Sequence, residues 1–406
     1  MAAPVPSEVE QPRHQWPFPR SCPLDPPPAL AELRSSEPIT RVRLWNGDPA
    51  WLATRYADVR ALLADHGRLS SDTSRPGFPQ TSATVAAMRG QQKVFIRQDP
   101  PSHDEHRLML TADFTVKKVR SMRPYLEQLV DGCLDAMEEA GRPVDLVRLL
   151  AQPVPANVIV RLLDLPAEHS EFFLDRVARW MSLDSSPEES REAGEDALGY
   201  FASLIEQRRA EPGDDLVSRL IQDQVATGVF SEAQLQHMLH LLLVGGFDTT
   251  ANMIALGTIV LLEHSEQFAE LRAEPDRIPA AVEELLRYLS VAHHVGFRLA
   301  VDEVEIDGVC IRPGEGVIAP IMAANRDPEV FPDPDAFDIH RDARAHVAFG
   351  FGVHQCLGQA LARVELQVVF GRLLERFPHL ALAVPVDELR FKNSLIYGVE
   401  ELPVTW

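Results

Sequence analysis

Cys356 stands out as a side chain whose setting suits metal binding. It lies in FGFGVHQCLG, residues 349–358, with Gly350, Gly352 and Gly358 around it and helical periodicity after it. Glycines let the backbone approach a ligand closely and adopt positive φ. Backbone N–H groups at a helix N-terminus stabilise a cysteine as the thiolate. The segment therefore predicts either a thiolate ligand or a buried structural cysteine in a turn.

A second unusual segment is LLLVGGFDTTANMIALG, residues 241–257, which has the composition of a buried helix. Gly245 and Gly246 each weaken a helix by roughly 0.5–1 kcal/mol relative to alanine. Asp248 would be costlier still if buried, unless its carboxyl group is paired or protonated. A core helix with these residues is either functional or kinked around a satisfied aspartate.

Other clusters of polar residues allow more than one interpretation. The segment DPPSHDEHR, residues 99–107, fits a metal cluster or a solvated helix face. Glu284 and Arg287 in EELLRY are three residues apart and share a helix face, as in many surface ion pairs. The adjacent His293 and His294 are candidate metal ligands or part of a strand edge.

The elements that must position these residues are mostly helical. Asn46-Gly47 and Asp307-Gly308 each separate β-prone runs and predict two hairpins. Helical periodicity covers residues 104–140, 166–181, 190–210, 214–226, 231–264, 279–290 and 358–377. Ser231 and Gln234 form a candidate capping box for the longest helix. Residues 320–356 show no clear element, which in a loop of this length points to function.

Composition narrows the class of protein. The 406 residues carry a formal net charge of −21, which argues against nucleic acid and anionic membrane surfaces as partners. The four cysteines are scattered and fit free thiols in a reducing compartment. We find no signal-peptide core and no apolar run of about 18 residues. These observations predict a cytoplasmic protein, soluble and without a membrane span.

The segment around Cys356 resembles the haem-ligand loop of the cytochrome P450 superfamily, Phe-Gly-x-Gly-x-His-x-Cys-x-Gly. Further segments resemble P450 landmarks in the right order: DPPSHDEHR, GGFDTT, EELLRY, GFRLA and AFDIHR. The resemblance is to soluble bacterial, actinomycete-type monooxygenases. It implies a mostly α fold with small β-sheets and a long central helix over a buried haem. We expect one domain over residues 1–406, with residues 1–18 as an irregular lead-in.

The resemblance implies haem b, bound without thioether links, with the Cys356 thiolate as the axial ligand of the iron. His103, Arg107, Arg298 and His354 would bind the haem propionates, and Gly245 would face the haem. Glu284, Arg287 and Arg341 would form the structural triad of the family.

The same resemblance explains the unusual central helix. Gly245 and Gly246 would leave room for O2, and Asp248 and Thr249 would be the catalytic acid–alcohol pair that supplies protons. The implied reaction is the insertion of one oxygen atom into a natural product or xenobiotic by hydroxylation or epoxidation. Electrons would come from a ferredoxin and its reductase with NAD(P)H, and the enzyme would be a monomer. Alternatives are a fungal-type nitric oxide reductase and, from another class, a non-enzymatic haem-thiolate gas sensor.

By analogy with the family, a mostly apolar pocket would bind a hydrophobic small molecule. Its walls would come from the loop 74–88, the helical pair around 166–200, the central helix and the segments 292–295 and 394–397. The expected substrate contacts are Phe78, Leu242, Val244, Phe247, His293, His294, Ile396 and Tyr397.

Overall fold

A computed structural model describes residues 12–80, 82, 85–86, 94–166 and 169–406, and helices dominate these ranges. In chain order the described α-helices are α1 (Ala29–Ser36), α2 (Tyr56–Ala64), α3 (Ser102–Thr111), α4 (Val116–Ser121), α5 (Arg123–Ala140), α6 (Pro153–Leu162), α7 (Ser170–Met181), α8 (Pro187–Ala210), α9 (Leu216–Leu220), α10 (Glu232–Glu263), α11 (Ser265–Ala273), α12 (Ile278–Leu289), α13 (Ile321–Ala324) and α14 (Gln359–Arg376).

Three small sheets accompany the helices. The strands are β1 (His14–Gln15), β2 (Ile39–Arg43), β3 (Pro49–Ala53), β4 (Leu69–Ser70), β5 (Val144–Asp145), β6 (Phe297–Ala300), β7 (Val304–Ile306), β8 (Val309–Ile311), β9 (Gly316–Ile318), β10 (Ala381–Leu382) and β11 (Pro403–Thr405). They form a six-stranded sheet β1-β2-β3-β9-β6-β4, a three-stranded sheet β10-β11-β5 and the β7-β8 hairpin. The predicted mostly α fold with small β-sheets is confirmed.

Both predicted hairpins are present, and glycine allows their tight turns. The strands β2 and β3 pair antiparallel around Gly47, whose φ is +90°. The strands β7 and β8 pair around Asp307 and Gly308, which have φ values of 46° and 74°. Such positive φ values are accessible to glycine and tolerated by aspartate.

The central helix α10 runs through the main hydrophobic core. The Ser231 hydroxyl caps it by accepting a bond from the Gln234 backbone amide, and Gln234 Oε1 accepts a bond from the Ser231 amide, as predicted. Among the described helices, α10 alone has the length and hydropathy of a membrane span, yet 78% of its most apolar window is buried in the protein. Its apolar character therefore reflects core packing.

The structure differs from the sequence predictions at several helix boundaries. The range 104–140 contains α3, α4 and α5, because Thr115 is extended and caps α4, and because Pro124 begins a new helix. Helix α6 was not predicted, because prolines commonly break helices. Its prolines lie in the first turn, where no backbone N–H is needed. Helices α1, α2 and α11 also went unpredicted.

Two further predictions differ from the structure. The apparently unstructured range 320–356 holds α13 and a short 3-10 turn at Gly352–His354. The lead-in expected to be irregular contains β1, which pairs with β2. The segment 1–11 lies outside the described residues.

A buried ion triad connects α12 to the long segment that precedes Cys356. Arg287 and Glu284 are both fully buried and form two hydrogen bonds of 2.7 Å. Arg341 donates from Nε to Glu284 at 3.1 Å. Arg287 also donates to the carbonyls of Asn325, Pro334 and Ala336. The three residues expected to form the triad are thus brought together.

We expect Glu284→Gln to lower the free energy of unfolding by about 3–5 kcal/mol, because it leaves the buried Arg287 charge without its counterion. Urea denaturation followed by circular dichroism measures the change. Arg55→Gln is the matched control, because the Arg55–Asp307 pair is exposed and worth at most about 1 kcal/mol. Equal losses of unfolding free energy in Glu284→Gln and Arg55→Gln would show that burial does not determine how much the triad stabilises the fold.

Candidate active site

Cys356 and the middle of α10 lie on the wall of one cavity. The cavity has a volume of about 500 Å³ and a mostly apolar lining. Gly245 and Thr249 of α10 line it, as do Arg298 of β6 and the loop that carries Cys356. Two segments that are more than 100 residues apart in the chain therefore meet at a single site.

The loop before α14 is shaped for Cys356. Its backbone amide donates to the Phe349 carbonyl at 2.8 Å, and Gly350 and Gly352 both have positive φ. A Cβ on Gly352 would lie 2.7 Å from the Leu63 carbonyl oxygen, so only glycine fits there. Burial raises the pKa of the Cys356 thiol. The exposed surface of this residue faces the cavity rather than the outside of the protein.

Several groups oppose this effect of burial on Cys356. The backbone N–H groups of Gly358 and Gln359 and the charges of Arg107 and Arg363 all act to lower its pKa. Such donors and cations stabilise the thiolate that a metal ion requires, although burial is the larger effect on the free thiol. A cation bound in the cavity would add to their effect.

The four expected propionate ligands form a cationic cluster at the cavity. The rings of His103 and His354 lie 4.3 Å apart between centroids. Among the described residues, neither ring nitrogen of His354 has a partner, nor does Nε2 of His103. Burial, followed by the charges of Arg298, His103 and Arg107, lowers the pKa of His354 to about 3. Burial also lowers the pKa of Arg298 to about 10.

Unpartnered donors around two guanidinium groups require an anion. The two propionates of a haem match this need, and the Cys356 thiolate matches its iron. The residues present therefore fit a haem, with His103, Arg107, Arg298 and His354 on the propionates.

The two glycines of α10 have different roles. A Cβ on Gly245 would meet nothing within 4 Å, so this position opens to the cavity. A Cβ on Gly246 would lie 2.3 Å from Cδ1 of Ile159, so its glycine permits the close packing of α6. Both glycines line the cavity, and open space lies beside Gly245. That they leave room for O2 stays a prediction. The Thr249 hydroxyl donates a hydrogen bond to the Gly245 carbonyl at 2.7 Å.

Asp248 points away from the cavity. Its Oδ1 accepts a bond from Asn252 Nδ2 at 3.0 Å and lies 4.0 Å from Lys392 Nζ, which itself donates to Asn252 Oδ1 at 3.0 Å. Its Oδ2 is buried and has no partner among the described residues. Burial raises the pKa of Asp248, while Lys392 and Asn252 act to lower it.

The expected substrate residues separate into two groups. Phe78, Leu242, His294 and Ile396 line the large cavity. Val244 and Phe247 are buried but lie outside its described wall. The reason is helical geometry: at 100° per residue, these two positions face away from Gly245 and Thr249. The described part of the range 166–200 contributes no residue to the wall either, and the loop 74–88 is only partly described.

His293 and Tyr397 line a smaller neighbouring cavity of about 160 Å³ instead. Their rings stack at 4.9 Å, and Arg20 bonds to the His293 ring, with 2.8 Å from Nη2 to Nε2. Burial places the pKa of His293 well below its usual value. His294 lines both cavities.

The residues at or near the site that sequence reasoning missed include Arg97, Thr250, Met253, Glu365 and Lys392. Thr250 and Met253 follow Gly246 at helical spacing, so the helix pattern pointed to them. Glu365 faces the cavity from α14, and burial raises its pKa to about 8. Arg97 and Lys392 reach the site only through tertiary packing, for which the sequence offers no local sign.

Comparisons with known proteins agree with this geometry. Residues 167–396 match the model of the family described as Cytochrome P450. Cytochrome P450-SU2 of Streptomyces griseolus is 49% identical over 95% of this chain and 94% of its own. Vitamin D3 dihydroxylase of the same species is 47% identical over 96% of each chain.

Among solved structures, cytochrome P450 MoxA (CYP105) from Nonomuraea recticatena superposes with a TM-score of 0.89 at 46% identity. The superposition covers 97% of this chain and 98% of that one. The chain belongs to the cytochrome P450 family and is, like its relatives, an oxidoreductase.

Proposed function

We propose that this enzyme inserts one oxygen atom from O2 into a hydrophobic small molecule, with electrons supplied by a ferredoxin. The observation that carries the proposal is the position of Cys356 and Thr249 on one largely apolar cavity, beside a cationic cluster that fits a haem. The relative named vitamin D3 dihydroxylase supports hydroxylation of a small molecule as a reaction of the family. We further propose that the enzyme is cytoplasmic, which the burial of α10 supports, and that it acts as a monomer.

The protein residues have separable tasks. Haem, when bound, supplies the oxygen activation and electron transfer that no side chain provides. The Cys356 thiolate would hold the iron, and the cationic cluster of His103, Arg107, Arg298 and His354 would hold the propionates. Apolar side chains such as Phe78 and Leu242 would orient the substrate and exclude water.

Proton delivery is the task that we assign to Asp248 and Thr249. Adjacent residues on a helix point about 100° apart, so the carboxyl group and the hydroxyl do not bond directly. Thr249 lines the cavity, whereas Asp248 is turned toward Asn252 and Lys392. Asp248 would therefore pass its proton into the cavity through a water molecule, or after a rotation of its own side chain. The Thr249 hydroxyl would hold the group that accepts the proton in place.

Two other functions predict different behaviour. A fungal-type nitric oxide reductase would oxidise NADH rapidly with nitric oxide and without ferredoxin. A gas sensor would bind small gases without consuming NAD(P)H. The acid–alcohol pair of Asp248 and Thr249 favours the monooxygenase, since proton supply at the cavity serves O2 chemistry.

A basic surface on the Cys356 side of the protein is our candidate ferredoxin site. Helix α4, which carries Lys117, Lys118 and Arg120, packs against α14, the helix that follows Cys356. Arg363 bonds to Glu283 at 2.7 Å and Arg344 to Asp342, so both have internal counterions. The α4 cations are thus the better candidates for an acidic partner.

Cys356→Ser should abolish the CO-difference band characteristic of thiolate-ligated haem and weaken haem binding, because a serine hydroxyl is a poor ligand at this position. The spectrum of the reduced, CO-treated protein measures this. Cys310→Ser is the control, since Cys310 is exposed on the β8 hairpin. Retention of the band in Cys356→Ser and its loss in Cys310→Ser would overturn the assignment.

Thr249→Ala should retain haem and ligand binding but divert electrons to hydrogen peroxide, because the hydroxyl no longer positions the proton acceptor. Asp248→Asn should slow turnover by about 10²–10⁴-fold, the usual contribution of a positioned acid. Product and peroxide per NAD(P)H consumed are the measurements.

The control for these two variants is Thr258→Ala. Thr258 makes the same back-bond on α10, at 2.8 Å to the Ile254 carbonyl, but lies away from the cavity wall. Coupling equal to that of the unaltered enzyme in both Thr249→Ala and Asp248→Asn would disprove the proton-delivery role.

Charge reversal of Lys117 and Lys118 to Glu should slow reduction by ferredoxin most at low salt, because electrostatic steering is screened by ions. Stopped-flow reduction at two ionic strengths measures the effect. Arg390→Glu provides the control, because Arg390 is an exposed cation of the C-terminal loop. Reduction rates unaffected in the Lys117/Lys118 variant would exclude this surface.

A further inference from the structure

The large cavity carries more positive than negative charge. Its described wall contains three guanidinium groups, those of Arg97, Arg107 and Arg298, and one carboxyl group, that of Glu365. Burial raises the pKa of Glu365 to about 8, so this carboxyl group is mostly neutral near pH 7. The cations of the cavity therefore have no anionic partner on its wall.

Two of the three cations are explained by the haem that the site fits. Arg107 and Arg298 both act on the pKa of His354, which places them around the same histidine. A haem carries two propionates, and these match two guanidinium groups. Arg97 remains as a third cation without a counterion.

Arg97 reaches the cavity from the segment that precedes α3. It ends the 3-10 helix Phe95–Arg97, just before α3, and it lines the wall together with Phe95 and Ile96. Its charge lowers the pKa of His240, which is on the first half of α10. The Arg97 guanidinium thus lies near the part of α10 from which Leu241 and Leu242 line the wall.

Within the described chain, the Arg97 side chain forms neither a hydrogen bond nor an ion pair. Withdrawal from solvent lowers its pKa, yet a guanidinium stays protonated. A charged group of this kind in a mostly apolar cavity is costly without a partner. Binding of an anion would remove this cost.

We propose that Arg97 binds an anionic group of the substrate and that the enzyme takes apolar acids, in which a carboxylate ends a hydrocarbon body. The planar fork of a guanidinium matches a carboxylate with two parallel bonds. The rest of the wall, including Phe78, Leu241, Leu242 and Met253, suits the hydrocarbon. This inference rests on the proposed function and adds the substrate class to it.

The test compares two probes of the same shape, dodecanoate and 1-dodecanol, by the change in haem spin state of the ferric holoenzyme on titration. Equilibrium dialysis of labelled dodecanoate gives the affinity independently of the haem spectrum. We expect dodecanoate to bind about 10- to 100-fold more tightly than dodecanol, the range for a charge-assisted hydrogen bond.

Arg97→Gln should remove this preference by weakening dodecanoate while leaving dodecanol unchanged, and Arg97→Lys should restore part of it. Arg55→Gln, which alters an exposed arginine at the start of α2, should behave as the unaltered enzyme. Haem content and the CO spectrum of each variant are recorded alongside.

Three outcomes would overturn the inference: equal affinity of the unaltered enzyme for acid and alcohol, equal weakening of both in Arg97→Gln, or loss of haem in Arg97→Gln, which would assign Arg97 to a propionate. The proposed function fails in a different way. If the unaltered enzyme lacks the thiolate-type CO band, the monooxygenase proposal is wrong whatever Arg97 binds.

Discussion

The buried ion triad of Glu284, Arg287 and Arg341 is the interaction on which the site depends. Arg287 bonds to Glu284 and to three backbone carbonyls, and Asn325, whose carbonyl it holds, accepts a bond from the Val347 amide at 2.8 Å. The chain that leads to Cys356 is therefore fixed to α12. Because a buried charge tolerates little misplacement, this arrangement positions the thiolate more narrowly than apolar packing alone would.

The charge of the cavity wall is opposite in sign to the net charge of the whole chain. The chain carries a net charge of −21, yet the described cavity wall presents three arginines and a mostly neutral glutamic acid. The acidic exterior favours solubility and selects among protein partners. The cationic interior retains an anionic cofactor and, by our inference, selects an anionic substrate. The fold thus separates recognition of protein partners, at the acidic surface, from recognition of cofactor and substrate, in the buried cavity.

Much of this organisation was predictable from the sequence. Hydrophobic periodicity and the Ser231 capping box defined α10, and the two-residue turns defined both hairpins. Motif spacing indicated Cys356 and the cationic cluster. The direction of side chains was less accessible, because it depends on packing partners that are distant in the chain.

Asp248 and Gly246 illustrate this limit. Lys392, 144 residues further on, lies beside the acid, and Ile159 explains the second glycine. Val244 and Phe247 were assigned to the cavity by proximity in sequence, although helical geometry alone places them on the far side of α10. No local sequence pattern pointed to Arg97. The role that we propose for it follows from the charged groups on the cavity wall.

In the mechanism that we propose, the loop between Lys392 and Gly398 links substrate choice to proton delivery. Leu395 and Ile396 line the cavity, while Lys392 holds Asn252 beside Asp248. A Cβ on Gly398 would lie 1.8 Å from Asn252 Oδ1, so positions 252 and 398 are sterically bound to change together. Evolution toward new substrates through this loop therefore has to preserve its hold on the acid. Exchange of this loop between related enzymes would therefore transfer the substrate preference together with the contacts that position Asp248.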